Sequence, residues 1–158
     1  MNAATAFRRA PRAAGFSLLE VLVSMIILSI GLLGLAALQA FSIKANQSAN
    51  YRTQATALAY DLLDRMRANR NELIAGRYFT NYGSAPGSCP DTGGTPPSTG
   101  AASRDVYDWK CAIKAQLPLG EGAVRMPGGT VVVAIRWTDA RWSNGADATT
   151  EFTLTSAL

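Results

Sequence analysis

The feature that most constrains this fold is an uncharged, apolar run that extends from Val21 to Ile43. A transmembrane helix needs about 20 predominantly apolar residues, whereas the apolar region of an ordinary signal peptide has about 7–15. The run is long enough to cross a bilayer, so we predict a membrane-spanning helix. The alternatives are a plain membrane anchor and an ordinary cleaved signal peptide, for which Leu38-Gln39-Ala40 is a weak cleavage site.

A small residue and an acidic residue precede the apolar run. In a secretory signal peptide the small-residue cleavage site follows the apolar region, whereas here Gly15-Phe16 comes before it. A cut between Gly15 and Phe16 on the cytoplasmic face would remove the leader, keep the helix and create a free amine at Phe16. Glu20 then lies inside the retained helix, four residues after Phe16, and an acid within a membrane helix costs up to about 2.5–3.5 kcal/mol at its centre and less near its end. We therefore interpret Glu20 as a functional residue.

This arrangement resembles the class III signal of type IV prepilins and type II secretion pseudopilins. In that signal a glycine precedes a phenylalanine at the cleavage site and a glutamate follows within the helix, and Gly15, Phe16 and Glu20 match all three positions. The resemblance implies that a prepilin peptidase cuts between Gly15 and Phe16 and N-methylates Phe16. It also implies an assembly role for Glu20, because a buried acid seeks a cation and the Phe16 amine of a neighbouring subunit supplies one.

The resemblance divides the chain into three segments. Residues 1–15 form the cleaved leader, residues 16–43 form the transmembrane and assembly half of the N-terminal helix, and residues 44–158 form a periplasmic head that includes the amphipathic half of that helix.

The net charge of the chain falls when the leader is removed. The formal charge is +4, from 15 Lys and Arg residues against 11 Asp and Glu residues. Arg8, Arg9 and Arg12 lie in the leader, so the mature chain keeps 12 basic residues against 11 acids and carries +1. Nucleic acid is therefore not an expected partner, and the leader arginines instead fit the positive-inside rule. We expect a single-pass inner-membrane protein with a cytoplasmic N-terminus and a periplasmic head.

Both cysteines of the chain, Cys89 and Cys111, follow the predicted membrane span. In an oxidising compartment such a pair most simply forms one disulfide, and two free thiols are the alternative. Two cysteines without any histidine cannot supply a typical zinc shell. We predict a disulfide between Cys89 and Cys111, no metal site and no cofactor.

The remaining pattern predicts one long helix followed by a small sheet. No proline occurs from Phe16 to about Asn69, and the second half of this segment carries apolar residues at three- and four-residue spacing. These residues are Ala55, Leu58, Ala59, Leu62 and Met66. We predict that this stripe packs on the head.

Loop, helix and strand patterns follow the long helix. Breakers between residues 76 and 103 predict a long surface loop, and residues 105–117 predict a short amphipathic helix. Alternating segments predict three strands at residues 123–126, 130–137 and 149–155, joined by Pro127-Gly128-Gly129 and a looser loop at 139–148. Together these elements predict an α+β fold, and the resemblance implies its type IV pilin-like form, a long N-terminal helix packed on a small antiparallel β-sheet head.

Three arginines, Arg65, Arg67 and Arg70, cluster where the long helix should end. They could bind phosphate. We favour a structural role, because cations in a last turn complement the helix dipole and Asp61 lies four residues before Arg65.

Further residues resemble the PilV family of minor pilins, the type IV pilus modification proteins. The resemblance rests on the run from Leu18 to Leu38, residues 59–69 (AYDLLDRMRAN), Asp108-Trp109 and Ile135-Arg136-Trp137. It implies a subunit that joins other minor pilins and the major pilin in a complex that primes pilus assembly at the tip.

Three rival functions differ in the residues that they require. An enzyme usually needs histidine or paired acids, but the chain has no histidine, no Gly-rich phosphate loop and no nucleophile elbow; we expect no catalytic residue. A type II secretion minor pseudopilin would share the signal and the helix. A DNA-uptake pilin would need exposed basic and aromatic side chains, for which the candidates are Arg136, Trp137, Arg141 and Trp142. We expect both tryptophans to fill the core or its rim.

Overall fold

The computed structural model describes residues 15–84, 86–139 and 149–157. The chain divides into two units, Met1–Ser42 and Ile43–Leu158, and each is described by itself. The helices are α1 (Leu18–Ala68), α2 (Arg70–Ile74) and α3 (Ala101–Gln116), with short 3-10 turns at Pro90–Thr92 and Pro127–Gly129. The strands are β1 (Glu121–Arg125), β2 (Thr130–Thr138) and β3 (Thr149–Ala157).

The long helix has the character that the sequence predicts. Helix α1 contains 51 residues and begins two residues after Phe16. The part of α1 that belongs to the first unit is exposed along its whole length. In the second unit, α1 buries one stripe of side chains against the head. The stripe contains Ala55, Leu58, Ala59, Leu62, Leu63 and Met66, so every residue of the predicted stripe is buried and Leu63 is added.

The sheet is a three-stranded antiparallel meander in the order β1-β2-β3. Burial alternates along β2, and Val131, Val133, Ile135 and Trp137 face the core. The α+β prediction is confirmed. The predicted first strand began too late, because the pairing of Glu121 with Arg136 extends β1 through a glycine and a charged residue that carry no strand signal.

Helix α3 is longer than predicted. We expected it to begin at Asp105, but it begins at Ala101 and its first turn buries Ala102 completely. The residues before position 101 have a loop-like composition, but Ala101, Ala102 and Arg104 themselves favour a helix, and Ala102 is also buried in the core. The helix ends at Gln116, one residue before the predicted end, since Leu117 is extended and Pro118 follows.

The long loop after α2 is tied to the sheet, which the sequence did not predict. Thr80 and Val124 exchange two backbone hydrogen bonds of 3.2 and 2.9 Å, so residue 80 lies along the outer edge of β1. The second predicted loop, residues 139–148, falls outside the described residues except for Asp139, which is buried.

Trp109 on α3 lies at the centre of the head and contacts both α1 and the sheet. Its side chain is fully buried, and its indole Nε1 donates a 3.0 Å hydrogen bond to the backbone carbonyl of Leu58 on α1. On the other side the ring lies against β1 at Gly122, where a Cβ atom would come within 2.3 Å of the indole. Glycine at this position therefore permits the close packing of α3 on the sheet.

Candidate assembly site

The predicted processing and assembly residues lie at the start of α1. Gly15, Phe16 and Ser17 precede the helix, and the Ser17 carbonyl accepts a 3.0 Å hydrogen bond from the backbone N–H of Glu20. Glu20 therefore stands in the first turn of α1, where a carboxylate complements the positive end of the helix dipole.

Phe16 and Glu20 lie on the same side of the helix start. Both line a shallow groove of about 240 Å³, together with Val21, Ser24, Met25 and Leu28. The Ser24 hydroxyl donates a 2.7 Å hydrogen bond to the backbone carbonyl of Glu20. Gly15 is exposed beside the groove, and a side chain on it would meet no atom within 4 Å.

The helix that follows presents an apolar surface on all sides. Phe16 is 85% exposed, and the leucine, isoleucine and valine side chains up to Ile43 are also exposed. A large, continuous exposed apolar surface marks a contact with a membrane or with another protein. Among the described residues, one helix, α1, is long and apolar enough to cross a membrane by length and composition.

A polar cluster in the head joins the end of α1 to α3. The Asp105 carboxylate of α3 accepts a 2.6 Å hydrogen bond from the phenol of Tyr78 and a 3.3 Å hydrogen bond from Arg65, and Asn69 lies at 3.5 Å. Tyr78 is completely buried. Burial, and then the bond to Asp105, raise the pKa of Tyr78 to about 12.

Two of the three clustered arginines make structural contacts, and these include the predicted Asp61–Arg65 pair. Arg65 pairs with Asp61 at 3.1 Å as well as with Asp105, and Arg67 pairs with Asp64 at 2.8 Å. Both side chains thus stabilise the end of α1.

One face of α3 holds the long loop in place. The Cys89–Cys111 disulfide is present, with a Cα–Cα distance of 5.6 Å. One turn away in each direction, Tyr107 donates to the Ser88 carbonyl at 2.9 Å and Lys114 donates to the Pro86 carbonyl at 2.9 Å.

Lys110 lies on the same face of α3, and its side chain reaches into the loop. It is 4% exposed, and the three N–H donors of its ammonium group are shared among four acceptors, the Asn81 carbonyl at 3.1 Å, the Ser84 carbonyl at 2.9 Å and the hydroxyls of Ser84 and Thr80. Burial lowers the pKa of Lys110. The sequence pattern did not predict this contact, although residues 107, 110, 111 and 114 have the spacing of one helix face.

The structure separates the four candidate DNA-binding residues. Trp137 is 1% exposed, as expected for a core residue. Arg136 is engaged by its neighbours, since its Nε donates to Glu121 at 2.6 Å and its guanidinium lies 4.2 Å from the centre of the Tyr82 ring. Arg141 and Trp142 lie outside the described residues. In the part of the chain that the structure describes, no group of three or more His, Cys, Asp or Glu side chains could hold a metal ion.

Two family models match consecutive parts of the chain. The prokaryotic N-terminal methylation motif matches residues 11–36, which include Gly15, Phe16 and Glu20. The model described as type IV pilin Tt1218 matches residues 37–107. The chain carries a prepilin methylation motif followed by a type IV pilin domain. No curated protein and no solved structure is significantly similar to it.

The pilin domain accounts for the architecture. A long N-terminal helix that packs on a small antiparallel sheet is the type IV pilin fold, and α1 with β1, β2 and β3 form it here. A type IV pilin is a structural protein, and its prepilin motif implies processing by a prepilin peptidase and assembly with other pilins. The apolar half of α1 fits membrane anchoring before assembly.

Proposed function

We propose that this protein is a minor pilin of the PilV family that primes type IV pilus assembly at the pilus tip. A prepilin peptidase cuts between Gly15 and Phe16 and methylates Phe16. The cut chain stays in the inner membrane by α1, with its N-terminus in the cytoplasm and its head in the periplasm, until it joins other minor pilins and the major pilin.

One observation carries the proposal. Residues 11–36 match the methylation motif, and within that range Phe16 and Glu20 share a groove at the start of a helix whose apolar side chains are exposed. A helix with this surface needs lipid or other apolar helices around it. Lipid surrounds the helix while the subunit is in the membrane, and a bundle of pilin helices surrounds it after the subunit has left the membrane.

Glu20 supports assembly through charge. A carboxylate in apolar surroundings is stabilised by a cation, and cutting at Phe16 creates an ammonium group on every mature subunit. Pairing between Glu20 of one subunit and the Phe16 amine of the next would fix their axial register. The uncut chain has no such amine, so processing would be a condition for pairing.

The proposal is tested first at the cleavage site. Mass spectrometry of the membrane-extracted protein should find an N-methylated Phe16 as the first residue, and Gly15→Val should leave the precursor uncut and absent from pili. Ala13→Val is the matched control, because it adds the same side chain within the leader without touching the bond that is cut. A mature chain that begins at Phe41, after Leu38-Gln39-Ala40, would overturn the proposal in favour of ordinary secretion.

The minor-pilin role is tested by deletion. Loss of the gene should reduce the number of surface pili, and the remaining fibres should consist mainly of the major pilin. Normal pilus numbers together with failed protein secretion would assign the chain to a type II secretion apparatus instead. The DNA-uptake alternative has less support, since Trp137 is buried and Arg136 is paired with Glu121.

A further inference from the structure

The two edges of the sheet differ in how they are protected. The outer edge of β1 is short, carries Glu121 and Arg125 at its ends, and is covered by Thr80 through two backbone hydrogen bonds. Within residues 15–84, 86–139 and 149–157, the outer edge of β3 has none of these features. Of the residues that the structure describes, only those of β2 pair with β3.

Strand β3 is suited to pairing along its whole length. Its nine residues pair with β2 in an unbroken register, so no bulge bends the edge away. The strand contains no proline and no lysine, and Glu151 is its single charged residue. Natural proteins usually block a free edge with such residues, and an open edge of this length is a template for another strand.

The side chains at this edge are incompletely covered. Phe152 and Leu154 pack against the core of the head but remain only partly buried. Thr153 and Thr155 point to the opposite, exposed face of the sheet. An added strand would cover the open sides of Phe152 and Leu154 and satisfy the backbone groups of the edge.

We propose that the occupant of this edge is β3 of a second copy of the chain, paired antiparallel across a two-fold axis at Thr153. With Thr153 opposite Thr153 of the second copy, all nine residues pair. Side chains on the inner face of one strand then lie opposite side chains on the inner face of the other. Phe152 then lies opposite Leu154 of the second copy, and Glu151 lies opposite Thr155. A register centred on Glu151 would place two carboxylates opposite each other, which is unfavourable.

The self-complementary pattern is the reason for choosing a second copy over another strand. In an isologous interface each contact occurs twice, so Phe152–Leu154 and Glu151–Thr155 pairs would form on both sides of the axis. Glu151, the single acid of the strand, would lie opposite the Thr155 hydroxyl of the other copy on both sides of the axis. The proposal does not depend on the minor-pilin role, because it concerns the head alone.

Cysteine cross-linking of the full-length chain in membranes tests the register. Residues directly opposite in an antiparallel pair have Cβ atoms about 4.5–5.5 Å apart, so Thr153→Cys should give an oxidised dimer. Thr149→Cys is the matched control, with the same residue type on the same exposed face of β3. Its two copies would lie about 27 Å apart along the strands, and it should not cross-link.

A charge test separates pairing from random collision. In the Thr153→Cys background, Thr155→Glu would place a carboxylate opposite Glu151 of the second copy and should lower the cross-linked yield several-fold. Thr155→Lys would place an ammonium group there and should raise it. Two differently tagged copies, expressed together, show whether the product contains two copies of this chain.

Each outcome decides the proposal. Selective cross-linking at Thr153 that responds to the charge at residue 155 supports it. Equal yields from Thr149→Cys and Thr153→Cys, no cross-link at either position, or a product with a different protein would overturn it. Normal Phe16 processing in the same cells shows that such a failure does not extend to the proposed function.

Discussion

The phenol of Tyr78 donates a 2.6 Å hydrogen bond to the carboxylate of Asp105, and this contact joins the segment after α2 to helix α3. Arg65 reaches the same carboxylate from the end of α1. The Asp105 carboxylate of α3 therefore connects that helix to the end of α1 and to the segment after α2. Because Tyr78 is completely buried, the contact has consequences for stability and for its dependence on pH.

Tyr78→Phe should lower the free energy of unfolding by about 1–2 kcal/mol at neutral pH, because Asp105 loses a charge-assisted hydrogen bond but keeps Arg65. Guanidinium unfolding of the detergent-solubilised full-length protein, followed by tryptophan fluorescence, measures the change. Tyr60→Phe is the matched control, since Tyr60 is 49% exposed on α1. Equal effects of the two substitutions would contradict a special role for the Tyr78–Asp105 bond.

The same residue predicts a loss of stability in alkali. Burial and the Asp105 bond raise the pKa of Tyr78 from 10.0 to about 12, so the folded state keeps a proton that the unfolded chain releases above about pH 10. The stability that the phenol contributes is fully present below pH 10 and is lost as the pH rises through 12. Unfolding measured at several pH values between 8 and 11.5 should show a shallower decline for Tyr78→Phe than for the wild type.

Gly122→Ala should destabilise the head by about 1–3 kcal/mol, because its Cβ would overlap the buried indole of Trp109 and force a shift of α3 or β1. Gly87→Ala is the control, as a Cβ there would meet no atom within 4 Å. Differential scanning fluorimetry of both variants measures the shift. A melting temperature for Gly122→Ala equal to that of Gly87→Ala would show that the packing at Trp109 tolerates a methyl group.

Cys89→Ser should cost about 3 kcal/mol in the chain-entropy model and lower the steady-state level of the protein, because the loop loses its covalent tie to α3. The fold should persist, since Tyr107, Lys110 and Lys114 still hold the loop. Alkylation of the native protein without reductant checks the bond directly. Full labelling of both wild-type cysteines would contradict the disulfide.

Lys110→Met should release the loop locally, because the hydroxyls of Thr80 and Ser84 and two backbone carbonyls lose a common donor. Hydrogen bonds to a charged group contribute about 1.5–3 kcal/mol. Hydrogen–deuterium exchange should show lost protection around residues 80–84, with the centre of the sheet unchanged. Lys114→Met is the control, because its ammonium contacts only Pro86 among the described loop residues. Unchanged exchange at residues 80–84 would count against a loop-holding role.

Glu20→Ala should leave processing and membrane level normal while sharply reducing assembled pili, if its carboxylate pairs with a neighbouring Phe16 amine. A plain membrane anchor predicts the opposite, because removing an acid from an apolar segment favours insertion. Glu20→Gln keeps the shape and loses the charge, and Ser24→Ala, in the same groove, is the matched control. Surface pili are counted beside a blot for the cleaved chain. Normal pilus numbers with Glu20→Ala would remove the assembly role.

Local patterns along the sequence predicted the long helix, α3 and the three strands, although not α2 or the starts of α3 and β1. The long proline-free segment predicted α1, its spacing predicted the buried stripe from Ala55 to Met66, and alternation predicted β2 almost to the residue. The two cysteines predicted a bond because they are the only pair available. The signal around Gly15, Phe16 and Glu20 was visible because all three residues lie within a few positions of each other.

Contacts between distant residues needed the tertiary structure. The predicted start of α3 was four residues too late because the loop composition before residue 101 hid the helix-forming Ala101 and Ala102, whose place against the core is visible only in the tertiary structure. The shared contacts of Asp105 could not be predicted, because its partners Arg65 and Tyr78 are 40 and 27 residues away along the chain and meet it only in the folded head. The sequence by itself thus determined the helix, the strands and the processing signal, which depend on neighbours along the chain. The tertiary structure alone decided the buried contacts of Tyr78 and Lys110 and the strand order that places β3 at one side of the sheet, because burial and strand order depend on how the elements pack.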